Sequence, residues 1–509
     1  MKEQKLLTII ASNRGPFKFI ARRDGSFGID RGAGGLITAL GPLAERNEVL
    51  WVALALSRGD RKWATIQKDK AKKVEGISLR LINTSKQQYD AYYNIIANPL
   101  LWFLQHQIWD ISRSPSITKE TWQAWENGYI EINRLFADAI KDSIKDIEQP
   151  VIVMPQDYHL YLLPDFLRER LGSKVQIQPF IHIPWPGPDA WRLLPKGIRA
   201  KIFKGLLASD RIGFQTKKDA FNFVQTCRFY LPEAKSHGSR DTIFFQDRVV
   251  EAKAYPISID VENIQKIIGK PQTHFQKKEL INIVGDRKLI LRVDRIEPSK
   301  NILRGLMSYR SLLEAYPEHR GKVQMIALLV PSRLEVTEYQ DYLREIMAEG
   351  GMINAQYGNG FWEPIRIIVG DNYSRAIAAM QIYDVLLVNP ISDGMNLVAK
   401  EGPLVNTKDG VLVLSEHAGA FYELGDYALS VSPFDTYGTA EALHRALIMP
   451  EDDRSSRSNM MKEVIRKADV RWWFHNQVED TLRAINNQES NTSTSAISDA
   501  KKSEAPSTD

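Results

Sequence analysis

Apolar runs of strand length alternate with amphipathic stretches of helix length through almost the whole 509-residue chain, and that alternation permits few folds. It is the α/β pattern of parallel sheets whose crossover helices cover both faces. The strand candidates in the first half are KLLTIIA (5–11), VLWVALA (49–55), VIVM (151–154), VQIQPFIH (175–182) and IGF (212–214). In the second half they are KLILRV (288–293), VQMIALLV (323–330), IRIIV (365–369), DVLLVN (384–389) and GVLVLS (410–415). One hydrophobic core stops growing at roughly 250–300 residues, so each half is read as its own doubly wound unit. The seam falls in AYPISIDVENI (254–264), where a strand runs through Pro256 into a new helix. This sets domains at residues 1–257 and 258–470, followed by a final helix at 471–488. Trp472, Trp473 and Phe474 on that helix are read as packing. Residues 489–509, rich in Ser, Thr and Ala, have the composition of a disordered tail.

Composition narrows the class further. The chain is 43% apolar and 25% charged, and its longest apolar runs fall far short of the roughly 20 residues of a membrane span. The N-terminal MKEQKLLTIIASNRG lacks a small-residue cleavage site and reads as a first strand, so a cytoplasmic protein with no membrane partner is expected. A single cysteine, Cys227, excludes an internal disulfide and a thiolate metal cluster, and it is read as a buried helix residue. A net charge of +5 without a basic block does not favour nucleic acid. It leaves room for a concentrated cationic pocket for a small anion.

Open α/β sheets bind ligands beyond the carboxyl ends of their strands, so the informative residues lie just past each strand. After the first strand come Arg14 and a glycine-rich loop, DGSFGIDRGAGGLITAL (24–40), whose Gly32, Gly34 and Gly35 precede an apolar-periodic helix and free N–H groups for a phosphate. Asp157 and His182 end two strands on one edge of the first unit and point to a polar ligand pocket. In RVDRIEPSKN (292–301), Arg295 and Lys300 can converge on a diphosphate. Arg333 stands past the next strand. In ISDGMNLVAKEGP (391–403), the N–H groups of Met395, Asn396 and Leu397 begin a helix whose dipole favours an anion. A phosphate there would repel a carboxylate, so Asp393 faces neutral hydroxyls and Glu401, two turns on, reaches another part of one elongated ligand. Lys400 lies about 100° around the helix from Glu401 and faces away from that ligand. A carboxylate, a phosphate-binding helix start and a second carboxylate match a sugar, a diphosphate and a ribose in line, which is a nucleotide sugar. Arg14 and Arg333 are left for a phosphorylated acceptor.

The strings SNR (12–14), AGGL (33–36), YYN…LW (92–102), QDYHL (156–160), HIPWP (182–186), DR…SK (294–300), PSR (331–333), DGMNLVAKE (393–401) and SEHAGA (415–420) resemble, in order and spacing, the trehalose-6-phosphate synthases of glycosyltransferase family 20. The resemblance implies a GT-B fold, two Rossmann-like domains facing across a cleft, with the last helix crossing back to the first. It implies retaining transfer of glucose from a UDP-, GDP- or ADP-linked donor to glucose 6-phosphate. By motif, Gly34, Gly35, Arg295, Lys300 and Asp393, Gly394, Met395, Asn396, Leu397 and Glu401 take donor positions, and His182 the position near the transferred glucose. Arg14, Tyr93, Trp102, Asp157 and Arg333 take acceptor positions. No cofactor and no metal are implied, and the catalytic weight falls on Arg295, Lys300, His182 and Asp157.

Three departures from the common pattern bear on these expectations. Asn301 stands where the family commonly has Gly, Ser392 where an Arg often precedes DGMN, and Gln156 where HDYH has its first His. The first two lie on the donor side and leave the nucleotide base open. Other outcomes of the same pattern are a glucosylglycerol-phosphate synthase, a pseudo-glycosyltransferase forming carbon–nitrogen bonds, and a silent nucleotide-sugar sensor. A nicotinamide oxidoreductase is not supported, since RGAGGL has neither the spacing nor the short strand connection of GxGxxG. A homo-oligomer stays open, and a separate phosphatase is expected downstream.

Overall fold

The computed structural model describes residues 6–31, 48–333 and 336–485. In the second half, six strands form one all-parallel sheet in the spatial order Ile365–Val369, Val323–Val330, Lys288–Arg295, Val385–Val388, Val411–Ser415 and Leu429–Val431. Numbered within the sheet this is 3-2-1-4-5-6, the doubly wound order in which the chain reverses direction between strands 1 and 4. The crevice at that reversal opens between the ends of Lys288–Arg295 and Val385–Val388, which carry Lys300 and Asp393 onward. VQMIALLV is buried along nearly its whole length, as a sheet covered on both faces requires.

The first half contains a reversal of its own, the first along the chain. Its six-stranded sheet runs Lys72–Val74, Ile77–Ile82, Val49–Leu54, Leu7–Ser12, Val151–Pro155 and Val175–Ile177, parallel except at the first pair. Here the crevice lies between Leu7–Ser12 and Val151–Pro155. Four further strands, Thr242–Phe245, Arg248–Ala254, Arg211–Phe214 and Phe180–Ile181, are joined to it through a single bridge between Gln156 and Phe180.

Two expectations are corrected. VQIQPFIH is not one strand but two, Val175–Ile177 and Phe180–Ile181, in different sheets. Pro179 has no N–H for a ladder, and the chain changes sheet there: Gln178 N–H donates to Val153 O at 2.8 Å and Gly213 N–H to Pro179 O at 2.8 Å. Part of the expected glycine-rich loop is instead a strand, since Phe27–Arg31 pairs with Phe17–Ala21 as an antiparallel hairpin. Phe19 of that hairpin stacks on Trp63 at 4.4 Å, which gives the ribbon an apolar anchor. Cys227 is buried on the helix Lys217–Tyr230, as expected.

The last described helix packs on the first half. Trp473 is fully buried, its Nε1–H donates to Tyr255 O at 3.0 Å, and its ring meets Phe180 at 5.0 Å. Asp480 accepts from Lys253 Nζ at 2.5 Å and from the Tyr255 hydroxyl at 2.7 Å. Among the described residues no helix is long and apolar enough to cross a membrane.

Candidate active site

At the second reversal, Lys300 Nζ donates to Asp393, which also accepts from Asn396 Nδ2 at 3.0 Å. The sequence reading placed this lysine and this carboxylate against different parts of a ligand; the fold puts them in direct contact. Lys300 is held from behind by Arg292, a wholly buried strand residue whose Nη2 donates to Lys300 O at 2.6 Å and whose Nε donates to Asp294 at 2.8 Å. The helix Val398–Val405 has no side-chain cap. Among the described residues the N–H groups of Met395, Asn396 and Leu397 donate no hydrogen bond, so they are able to take an anion. Glu401 accepts from the Tyr373 hydroxyl at 2.7 Å, and burial pushes its carboxyl up, against that bond. Lys400 turns away: it is buried, donates to Ile257 O at 2.9 Å and pairs with Glu423 at 2.7 Å.

The unusual Asn301 has a structural reason. It sits at φ +58°, ψ 37°, the left-handed region that Gly adopts freely and that Asn tolerates best among the other residues. Its Nδ2 donates to Asn389 O at 3.0 Å and to Pro433 O at 2.6 Å, so the side chain ties the Lys300 loop to its neighbours. Nothing in the structure explains Ser392. Gly34 and Gly35 lie outside the described residues.

At the first reversal, Asp157 has φ +70° and its Oδ1 accepts from His182 N–H at 3.1 Å. The strand break at Pro179 brings the two together. Both nitrogens of His182 are engaged, Nε2 with Gln156 Oε1 at 2.9 Å and Nδ1 with Gln215 Nε2 at 3.3 Å. The amides cannot reverse, because Gln156 Nε2 donates to Met154 O and Gln215 Oε1 accepts from Ile257 N–H. Nδ1 is therefore the acceptor and Nε2 carries the proton. Burial holds the imidazole down at about 3, so His182 is a neutral, fixed ring and not a proton carrier at neutral pH. Gln156, a departure from the common pattern, is one of the two residues that fix it.

Burial pushes Asp157 up to about 7, partly offset by three backbone N–H groups and Arg333. Its native pKa lies above the unfolded value, so its contribution to stability is complete at pH below about 4 and is lost as pH rises toward 7. Asp157→Asn removes that slope. Wild type should lose up to about 4 kcal/mol relative to the variant across this window. Urea unfolding at intervals from pH 4 to 8 measures it, and parallel profiles would refute it.

The acceptor candidates gather around Tyr158 and His159. Tyr93 stacks on His159 at 5.7 Å, and Arg333 donates to the Tyr158 hydroxyl at 3.3 Å and to the Tyr339 hydroxyl at 2.6 Å. His159 is held neutral by burial first, then by the charges of Arg333 and Arg14. Trp102 supplies a floor, with the Arg333 guanidinium 4.3 Å and the Arg295 guanidinium 5.8 Å from its ring. Sequence reasoning missed Arg292, Glu297, Tyr158, Gln156 and Gln215 as site residues. The available signal was charge inside a strand end, since RVD follows the buried run LIL. Among the described residues, the group of metal-type ligands with mutually close donor atoms is Glu318, His319 and His444. It lies at the amino-terminal edge of the second sheet, away from the cleft.

Across the cleft the backbones touch. A Cβ on Gly394 would lie 1.8 Å from His182 O, and one on Gly419 would lie 1.7 Å from Gly394 O. Three chain segments therefore stack at a distance only glycine allows.

The glycosyltransferase family 20 model matches residues 7–483. The UDP-forming alpha,alpha-trehalose-phosphate synthase of Pichia angusta is 33% identical over 93% of this chain and 98% of its own. The chain spans 63% and 62% of the length of two other curated relatives. Among solved structures, trehalose-6-phosphate from E. coli bound with UDP-2-fluoro glucose is 30% identical, with a TM-score of 0.79 over 93% of this chain and 98% of that one. A UDP-forming alpha,alpha-trehalose-phosphate synthase from Burkholderia xenovorans in complex with glucose-6-phosphate is 28% identical, with a TM-score of 0.79 over 94% and 99%. The two facing doubly wound units are the GT-B architecture.

Proposed function

Because this chain belongs to glycosyltransferase family 20, we propose that it is a retaining glucosyltransferase that moves glucose from a nucleoside diphosphate glucose to glucose 6-phosphate, giving trehalose 6-phosphate. One arrangement carries the reading. Arg295, Lys300 and Arg333, past the strand ends of the second sheet, face Trp102 and the Tyr93–His159 stack of the first half. A diphosphate and a sugar phosphate are the paired anions such a cleft fits. UDP-glucose is the first donor to test, given the E. coli relative bound with UDP-2-fluoro glucose.

In this reading Arg295, Lys300 and the helix start at Met395 to Leu397 take up charge on the departing diphosphate, and Glu401 takes the ribose. Asp393 and the Gly394 backbone lie beside the transferred glucose. Arg14 and Arg333 hold the acceptor phosphate over Trp102. The departing phosphate oxygen accepts the acceptor hydroxyl's proton on the same face, and His182, with both nitrogens committed, orients and excludes water. Catalysis is then positioning and charge stabilisation, with no metal required.

The test is a substrate panel: UDP-, GDP- or ADP-glucose with glucose 6-phosphate or glycerol 3-phosphate, with and without EDTA. Nucleoside diphosphate release and product mass are recorded. Turnover with glycerol 3-phosphate alone would replace this reading with a glucosylglycerol-phosphate synthase, and no release with any pair would favour a sensor. Arg333→Ala should raise the acceptor KM at least about tenfold, since a charge-assisted contact is worth roughly 1.5–3 kcal/mol. Donor binding should change little; equal loss of both would contradict the placement.

A further inference from the structure

Between the two groups of cations lies a carboxylate that the reaction as described does not use. Glu297 is 0% exposed. Its Oε1 accepts from Ser332 Oγ at 2.9 Å and lies 2.9 Å from Arg295 Nη1 and 3.4 Å from Arg333 Nη1. Its Oε2 has no hydrogen-bond partner among the described residues. Burial raises its pKa, yet Arg295, Arg333 and Lys300 together hold it down at about 2. The carboxylate is thus charged at any working pH.

The two guanidiniums stand at the ends of adjacent parallel strands, Arg295 as the last residue of one, paired with Val330, and Arg333 three residues past Val330 on the other. They share the Trp102 ring as well as this one oxygen. Without a negative charge between them, two cations at this range repel one another. Arg295 is 48% exposed in its side chain and Arg333 only 10%, so the exposed donor-side arginine depends more on this anchor.

We propose that Glu297 is a positioning residue that couples the two substrate subsites, holding Arg295 on the diphosphate side and Arg333 on the sugar-phosphate side in one shared geometry. The inference rests on the transferase reading above. Leaving group and acceptor are thereby set relative to each other, which matters because about 1 Å of misplacement can cost roughly 10²-fold in rate. The charge also subtracts from the positive potential felt by both anions. Removing it should therefore leave ground-state binding intact or tighter while turnover falls.

Glu297→Gln keeps the shape and loses the charge, and Glu297→Asp keeps the charge on a stem one methylene shorter. Steady-state kinetics with UDP-glucose and glucose 6-phosphate, and calorimetric titration with UDP, are run on both variants and wild type. Glu297→Gln should lose about 100-fold in kcat, with both KM values and the UDP Kd within about threefold of wild type or lower, and unchanged stoichiometry. Glu297→Asp should recover part of kcat. A kcat within threefold of wild type overturns the inference, as does a rise in both KM values that accounts for the loss. A fall in UDP stoichiometry proportional to kcat overturns it too, since that marks a folding role. If wild type itself turns over with none of UDP-, GDP- or ADP-glucose and binds none of UDP, GDP or ADP, the transferase reading has failed and this inference falls with it; if another donor is the substrate, the same measurements are made with that donor and its nucleoside diphosphate.

Discussion

Lys300→Ala should lower kcat by 10²–10³, about 3–4 kcal/mol of transition-state stabilisation. The lysine stands at the sheet reversal, 12% exposed in its side chain and paired with Asp393. Its backbone is pinned by the buried Arg292. In the proposed transfer, a cation held in this way would not have to reorganise as charge develops on the leaving diphosphate, and that is where preorganised charge has its largest effect. The variant also leaves Asp393 without its cation, so donor binding should weaken as well. Lys300→Arg should not restore the rate, because a planar fork cannot replace a compact ammonium in a space shaped by Asp393 and Asn396. The measurement is kcat at saturating substrates, and a loss below tenfold would remove Lys300 from the charge-stabilising role.

Gly394→Ala should be comparably damaging for a different reason. The added carbon would meet the carbonyl oxygen of His182 at 1.8 Å, and that oxygen belongs to backbone that cannot swing aside. His182 is held by Asp157 through its N–H and by Gln156 and Gln215 through its ring. The 394 segment in turn is held against Gly419 and Ala420, whose N–H groups donate to Asp393 O and Met395 O. To relieve the contact the units must separate by more than about 1 Å, which should cost on the order of 10²-fold in turnover and about 1–3 kcal/mol of stability. Gly351→Ala is the control, a helix position with open space around it, and should stabilise by about 0.5–1 kcal/mol. Wild-type kcat in Gly394→Ala would show that the cleft need not close at this distance.

Much of this protein is local in its chain. The strands VQMIALLV and IRIIV occur where their apolar runs stand, and the motif residues fall just past strand ends because hydrophobic periodicity and strand length are properties of short segments. The helix start at Met395 to Leu397 was legible for the same reason. The left-handed Asn301 follows a local rule too, once its φ is known.

What neighbouring residues could not determine is who meets whom. Lys300 and Asp393 are 93 residues apart and in contact, so their charge pairing depends on which strands flank the reversal and not on either motif. Pro179 could have signalled the break in VQIQPFIH, but only the tertiary structure shows the chain changing sheets there and setting His182 on Asp157. Glu297 reads in sequence as one more charge in a polar loop; its burial between two arginines arises from packing. Long-range contacts of this kind exist only after the sheets have formed and faced each other. The sequence by itself determined the α/β class and the strand-end residues, whereas the tertiary structure alone decided which charges neutralise one another and which are left for the substrates.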